Sequence, residues 1–109
     1  MIFLWNNWNI KHIEKHGVRP EEVNYILNHL HAPYPTAIGE GKFIARGQSE
    51  SGRILQVIFV YRSDEEVDLA ELNPVDRLRF EEGDEVIYVI HARDLNAQEK
   101  RQWRRRNQR

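Results

Sequence analysis

The chain has 109 residues, 30% of them charged and 40% hydrophobic, with a formal net charge of −1 and no cysteine. That length fits one domain, since two halves would each be too small to bury a useful core. The composition excludes disulfides and thiolate metal sites, fits a reducing cytoplasm, and contains no apolar run near the ~20 residues that cross a bilayer.

The opening "MIFLW" is too short, and lacks the basic flank, for a secretory signal. Asn6 or Asn7 can cap a first helix from Trp8 to His16, closed by Gly17 in a left-handed conformation. Pro20, followed by Glu21 and Glu22, starts a second helix, along which Val23, Ile26, Leu27 and Leu30 form one apolar stripe. The stretch "HAPYPTAIGEGK", with two prolines and two glycines, reads as a loop. Two strands follow, "KFIARG" and "ILQVIFVY", joined by the turn-forming "SESG" as a hairpin. The second is almost unbroken in its apolar character, as a central strand covered on both faces would be. A third strand, "EVIYVIHAR", is reached through residues 63–85, which are too long for a hairpin turn and read as an excursion with about one turn of helix. Asn96 with Glu99 three residues later is a capping box opening a last helix, whose thin apolar side is essentially Ala97 and Trp103. So poor a docking stripe predicts fraying beyond Arg104.

The small net charge conceals segregation. Residues 64–85 hold ten acids against Arg77 and Arg79, net −8, and residues 93–109 hold seven bases against Asp94 and Glu99, net +5. Such a chain either presents a basic end to a polyanion or folds its acidic segment over its basic one.

Strand alternation places Ile87, Val89, His91 and Arg93 on one face of the third strand. Arg53 falls on the face of Leu55, Val57 and Phe59, and Arg62 on the opposite one. A sheet edged by Arg46, Arg53, Arg62 and Arg93 around one imidazole, that of His91, is a plausible phosphate cradle. Guanidinium forks grip phosphate bidentately, and histidine moves protons near neutrality. Plainer readings stand beside it. His91 can be a half-buried residue bonded to a carbonyl, Arg93 can simply pair with Glu99 or Asp94, and the C-terminal arginines can be a solvated tail. His12 and His16 lie one helical turn apart, but Glu14 does not follow the first histidine directly and no third ligand accompanies them, so no metal site is assigned.

Taken in order, "WNNWN", "HIEKHGVRPEEV", "ARGQSESGRILQVIF" and "IHARDLNAQEKRQW" resemble the BrnT-type family of toxins from type II toxin–antitoxin systems. The resemblance covers most of the chain except about 20 residues of the acidic segment, which read as an insertion. It implies a single α+β domain over 1–109 of the small RelE-like kind, with two N-terminal helices and a C-terminal helix on a twisted antiparallel sheet. It further implies cytoplasmic, metal-independent endoribonuclease activity without a cofactor, and a BrnA-type ribbon-helix-helix antitoxin as partner.

The residues that match the family's motifs are Lys15 and His16 before Gly17, Arg53 after Gly52, Arg93 after Ala92, and Glu99, with Arg62 near its basic position after the central strand. On this reading His91, Arg93, Glu99 and Arg53 are catalytic, His91 and Glu99 exchanging protons while arginines neutralise the phosphoryl oxygens. Lys15, His16, Arg46, Arg62 and Arg101 then contact RNA phosphates. The chain departs from the family at His91, where a small polar residue is usual, and at Tyr61, where an acid is. The alternative is a non-catalytic module of the same fold that binds protein or RNA; least favoured is a plain domain whose basic tail binds nucleic acid nonspecifically.

Overall fold

The computed structural model describes residues 1–107; Arg109, one of the bases counted above, lies outside them. The elements in order are β1 (Phe3–Leu4), α1 (Asn7–Glu14), α2 (Pro20–Asn28), β2 (Thr36–Gly39), β3 (Lys42–Gln48), β4 (Ile54–Arg62), α3 (Pro74–Arg79), β5 (Val86–Asp94) and α4 (Ala97–Asn107). The class is α+β, as expected. The sheet differs from the expected one in two respects. It has five strands in the order β1-β5-β4-β3-β2, and it is mixed, because β1 runs parallel to β5.

Both extra strands are edges that periodicity could not reveal. β1 has only two residues, Phe3 and Leu4, held by pairing with Ile87 and Tyr88. β2 comes from the segment read as a loop, and its residues are exposed, so burial left no alternation to detect. The acidic segment is also richer than expected, with two 3-10 turns at Asp64–Glu66 and Leu69–Glu71 before α3.

Two apolar clusters sandwich the sheet. On one face Ile13, Val23, Ile26 and Leu27 from the N-terminal helices, with Val18 from the turn between them, pack on Ala45, Leu55, Val57, Phe59, Val89 and Ala92. On the other, Val67 and Leu72 of the acidic segment join Leu4, Val86 and Tyr88. The acidic segment is therefore anchored by apolar residues, and its acids, apart from buried Asp76, stay at least partly exposed. Its own arginines are engaged locally: Arg79 pairs with Asp76, and Arg77 donates to the carbonyls of Leu69, Ala70 and Leu72. Among the described residues no ion pair joins it to residues 93–107, so the two charged segments remain apart. No helix among them is long and apolar enough to cross a membrane.

Local chemistry fixes the ends of the helices. The Asn6 side chain accepts from the backbone N–H groups of Trp8 and Asn9, and Asn9 returns a bond to the Asn6 N–H. Gly17 turns the chain at φ +67°, where a side chain would be strained. α2 lies so close to β3 that a Cβ at Gly47 would stand 2.8 Å from Ile26 Cγ2. α4 is helical through Asn107, three residues past Arg104, where fraying was expected to begin; residues 108 and 109 lie outside the described ones.

Candidate functional site

The register aligns Arg46, Gln56 and Arg93 side by side across β3, β4 and β5. Gln56 is buried, and its Oε1 accepts from Nε and Nη2 of Arg46 at 3.1 and 3.0 Å. Glu99 of α4 closes the row. It receives Arg93 Nη1 and Nη2 at 2.8 and 2.9 Å, and Arg46 Nη2 at 3.1 Å. The capping box expected at Asn96 is formed, since the Asn96 N–H donates to Glu99 and the Asn96 side chain accepts from the Glu99 N–H. The cap thus aims the carboxylate at two guanidinium groups.

These bonds determine what Glu99 can do. Hydrogen bonding from Arg93, reinforced by the Asn96 N–H, pulls its pKa down to about 2. A carboxyl held so low stays ionised at any physiological pH and cannot relay protons. The acid–base role expected of Glu99 is corrected to that of a clamp. Arg93 is reciprocally raised, chiefly by its hydrogen bond to Glu99.

His91 occupies a different position from the one alternation suggests. A register shift between Ile58 and Phe59 leaves Ile90 without a partner on β4, so one extra residue inverts the phase of β5. Ala92, opposite Val57, enters the core in line with Val89, while His91 and Arg93 turn away from the Ile87–Val89 face. His91 meets His16, the ring centroids lying 5.1 Å apart in an edge-on arrangement. Its Nδ1 is buried without a hydrogen-bond partner. Burial, first, and the positive neighbours His16, Arg93 and His12 depress its pKa, so the neutral imidazole is favoured below the ordinary histidine value. Lys15 is exposed just before His16. The His12 Nδ1–H donates to the Trp8 carbonyl, 3.0 Å away, and the imidazole stacks on the Trp8 ring.

Arg53 lies on the opposite face from Arg93. Its Nη1 donates to the Gly17 carbonyl at 2.8 Å and to both oxygens of buried Glu22, and its Nε and Nη2 donate to Asp94. Its pKa is raised, above all by the bond to Asp94. Arg53 ties the hairpin, the Gly17 turn and α2 together. Arg62, at the far end of β4, stacks over the Tyr88 ring 5.0 Å away and lies 3.8 Å from Glu66. The cradle of four arginines does not form: Arg46 and Arg93 gather with Glu99, Arg53 is on the other face, and Arg62 is at the other end of the strand. Arg101 is exposed on α4.

Sequence reasoning missed a cavity of about 350 Å³ between α2, the loop before β2, β3 and α4, lined by Tyr25, His29, Tyr34, Arg46 and Trp103 among others. The His29 ring stacks on Tyr25 at 4.1 Å. Aromatic residues within "NYILNHLHAPYP" were the available signal, but nothing in the sequence said that Trp103, some 70 residues on, would face them. No family model matches the chain, and no curated protein is significantly similar to it.

Proposed function

We propose that the protein is an endoribonuclease that cleaves RNA through the substrate's own 2′-hydroxyl, and that it serves as the toxin of a toxin–antitoxin pair. The observation that carries the reading is the meeting of the His16 and His91 rings beside Arg93. Two imidazoles are what this chemistry requires. His91, kept neutral, takes the 2′-proton as the 2′-oxygen attacks phosphorus. His16, in its protonated form, gives a proton to the departing 5′-oxygen, leaving a 2′,3′-cyclic phosphate and a free 5′-hydroxyl. Arg93, fixed by Glu99, stabilises the charge that builds on the phosphoryl oxygens. Antitoxin control, by a BrnA-type ribbon-helix-helix protein, rests on the order of the sequence motifs.

The test is incubation of end-labelled RNA with the purified protein in the presence of a chelator. Fragments ending in cyclic phosphate are expected, and a 2′-deoxy substitution at the cleaved position should block them. His91→Ala or His16→Ala should slow cleavage ~10²-fold or more. Full activity in the double variant would end the reading. Induced expression should arrest growth, and the same substitutions should relieve the arrest.

A second reading, a non-catalytic module that binds RNA or protein, is favoured by one observation. Arg46, Arg53 and Arg93 are all paired with carboxylates of the chain itself. It predicts complex formation without cleavage of any RNA even at protein excess.

A further inference from the structure

We infer that the cavity between α2 and α4 is a nucleotide pocket that stacks an unpaired base of single-stranded RNA. The inference rests on the proposed RNA chemistry and extends it to a subsite away from the histidines. Its volume, about 350 Å³, lies in the range of small-ligand sites, and it adjoins a second depression of about 380 Å³ that shares Tyr34, Arg46 and Trp103 with it.

The lining combines the three kinds of group that hold a nucleotide. Tyr34 and Trp103 border both depressions, and their aromatic faces suit a base, because every base has a π-face. Arg46 and Arg106 supply the charge. The bonds of Arg46 to Gln56 and Glu99 use only its Nε and Nη2, so Nη1 remains for a phosphate oxygen. Gln48 and Asn107 bring amide groups that match a base edge. The cation links the pocket to the proposed catalytic site. Arg46 is bonded to the same Glu99 that holds Arg93, and the two arginines stand only two strand spacings, or roughly 10 Å, apart. A strand whose scissile phosphate lies at Arg93 therefore has a neighbouring nucleotide within reach of Tyr34 and Trp103.

The probe is a fluorescein-labelled hexaribonucleotide of mixed sequence, 2′-O-methylated throughout so that it cannot be cleaved, titrated by anisotropy against the whole protein. Tyr34→Ala should weaken binding about tenfold, the loss expected of one stacked base. Arg106→Glu, at an exposed position that carries no folding burden, should weaken it several-fold and flatten its salt dependence. A hexamer of the same backbone without bases should bind about tenfold less tightly and ignore Tyr34→Ala. Equal binding of the abasic strand, or wild-type affinity in both variants, would overturn the inference. Thermal melting checks that Tyr34→Ala is folded.

The two readings fail separately. Cleavage whose KM is untouched by Tyr34→Ala and Arg106→Glu removes the pocket and leaves the nuclease. Base-dependent binding with no cleavage of unmodified RNA removes the nuclease and leaves the pocket.

Discussion

Replacing Glu99 by glutamine keeps the shape of the clamp and deletes its charge. In the native protein that carboxylate accepts three guanidinium N–H bonds and the Asn96 N–H, with its side chain only 16% exposed. Its pKa falls from 4.5 to about 2, a difference whose full equivalent is about 3.5 kcal/mol at ~1.4 kcal/mol per unit. Arg46 and Arg93 are 22% and 32% exposed, so solvent screening reduces this to about 2 kcal/mol. At ~2.1 cal/mol/K per residue, 109 residues lose about 4 °C of Tm per kcal/mol, and Glu99→Gln should melt about 8 °C lower.

The pH dependence provides an independent check. The folded-state pKa lies below the unfolded one, so the stabilisation is complete above about pH 4.5 and drains away as pH falls towards 2. The variant should lack that part of the acid loss. It should also bind RNA more tightly at low salt, because two guanidinium groups lose their internal counter-ion. Calorimetry and salt-dependent anisotropy read both effects. A melting midpoint within 2 °C of wild type, with the acid loss intact, would refute the clamp.

Other substitutions probe other parts of the structure. Arg53→Ala should destabilise by roughly 3 kcal/mol in chemical denaturation, because buried Glu22 loses its main counter-ion; an effect under 1 kcal/mol would mean that Glu22 finds another partner. Gly47→Ala should cost about 1–3 kcal/mol, since its Cβ collides with Ile26 and α2 must shift; an unchanged unfolding midpoint would show that Ile26 can move aside. Cleavage should persist as pH falls below the ordinary histidine value of 6.5 and fail only at lower pH, because His91 must be neutral to accept the 2′-proton and its pKa is depressed. An acidic limb at or above 6.5 would contradict that assignment. Folding stability should decline over the same descent from 6.5, because the unfolded chain binds the His91 proton first.

Features governed by neighbouring residues were legible in the sequence. The Asn6 cap, the Gly17 turn, Pro20 at the start of α2 and the Asn96–Glu99 box all appear in the structure, since each depends on bonds within a few residues. The apolar run of β4 is the strand its pattern predicts, buried on both faces from Ile54 to Val57 and on one face only beyond, where Phe59 is buried and Ile58 and Val60 are half-exposed. The pairing of Arg93 with Glu99, one of the plainer readings, is also present. The face presented by His91 was not legible. A bulge at Ile90 arises from how β5 meets β4, and a single extra residue exchanges the two faces beyond it.

Sequence by itself determined the main helices and strands and the local caps, because periodicity and capping are short-range properties of a chain. Tertiary structure alone decided which charges far apart in the sequence are neighbours. It brought Arg46 and Arg93 to one carboxylate, sent Arg53 and Arg62 elsewhere, set His16 against His91, and opened a cavity between Tyr34 and Trp103. Those contacts join residues 6 to 75 positions apart, and the register of a sheet and the docking of helices fix them.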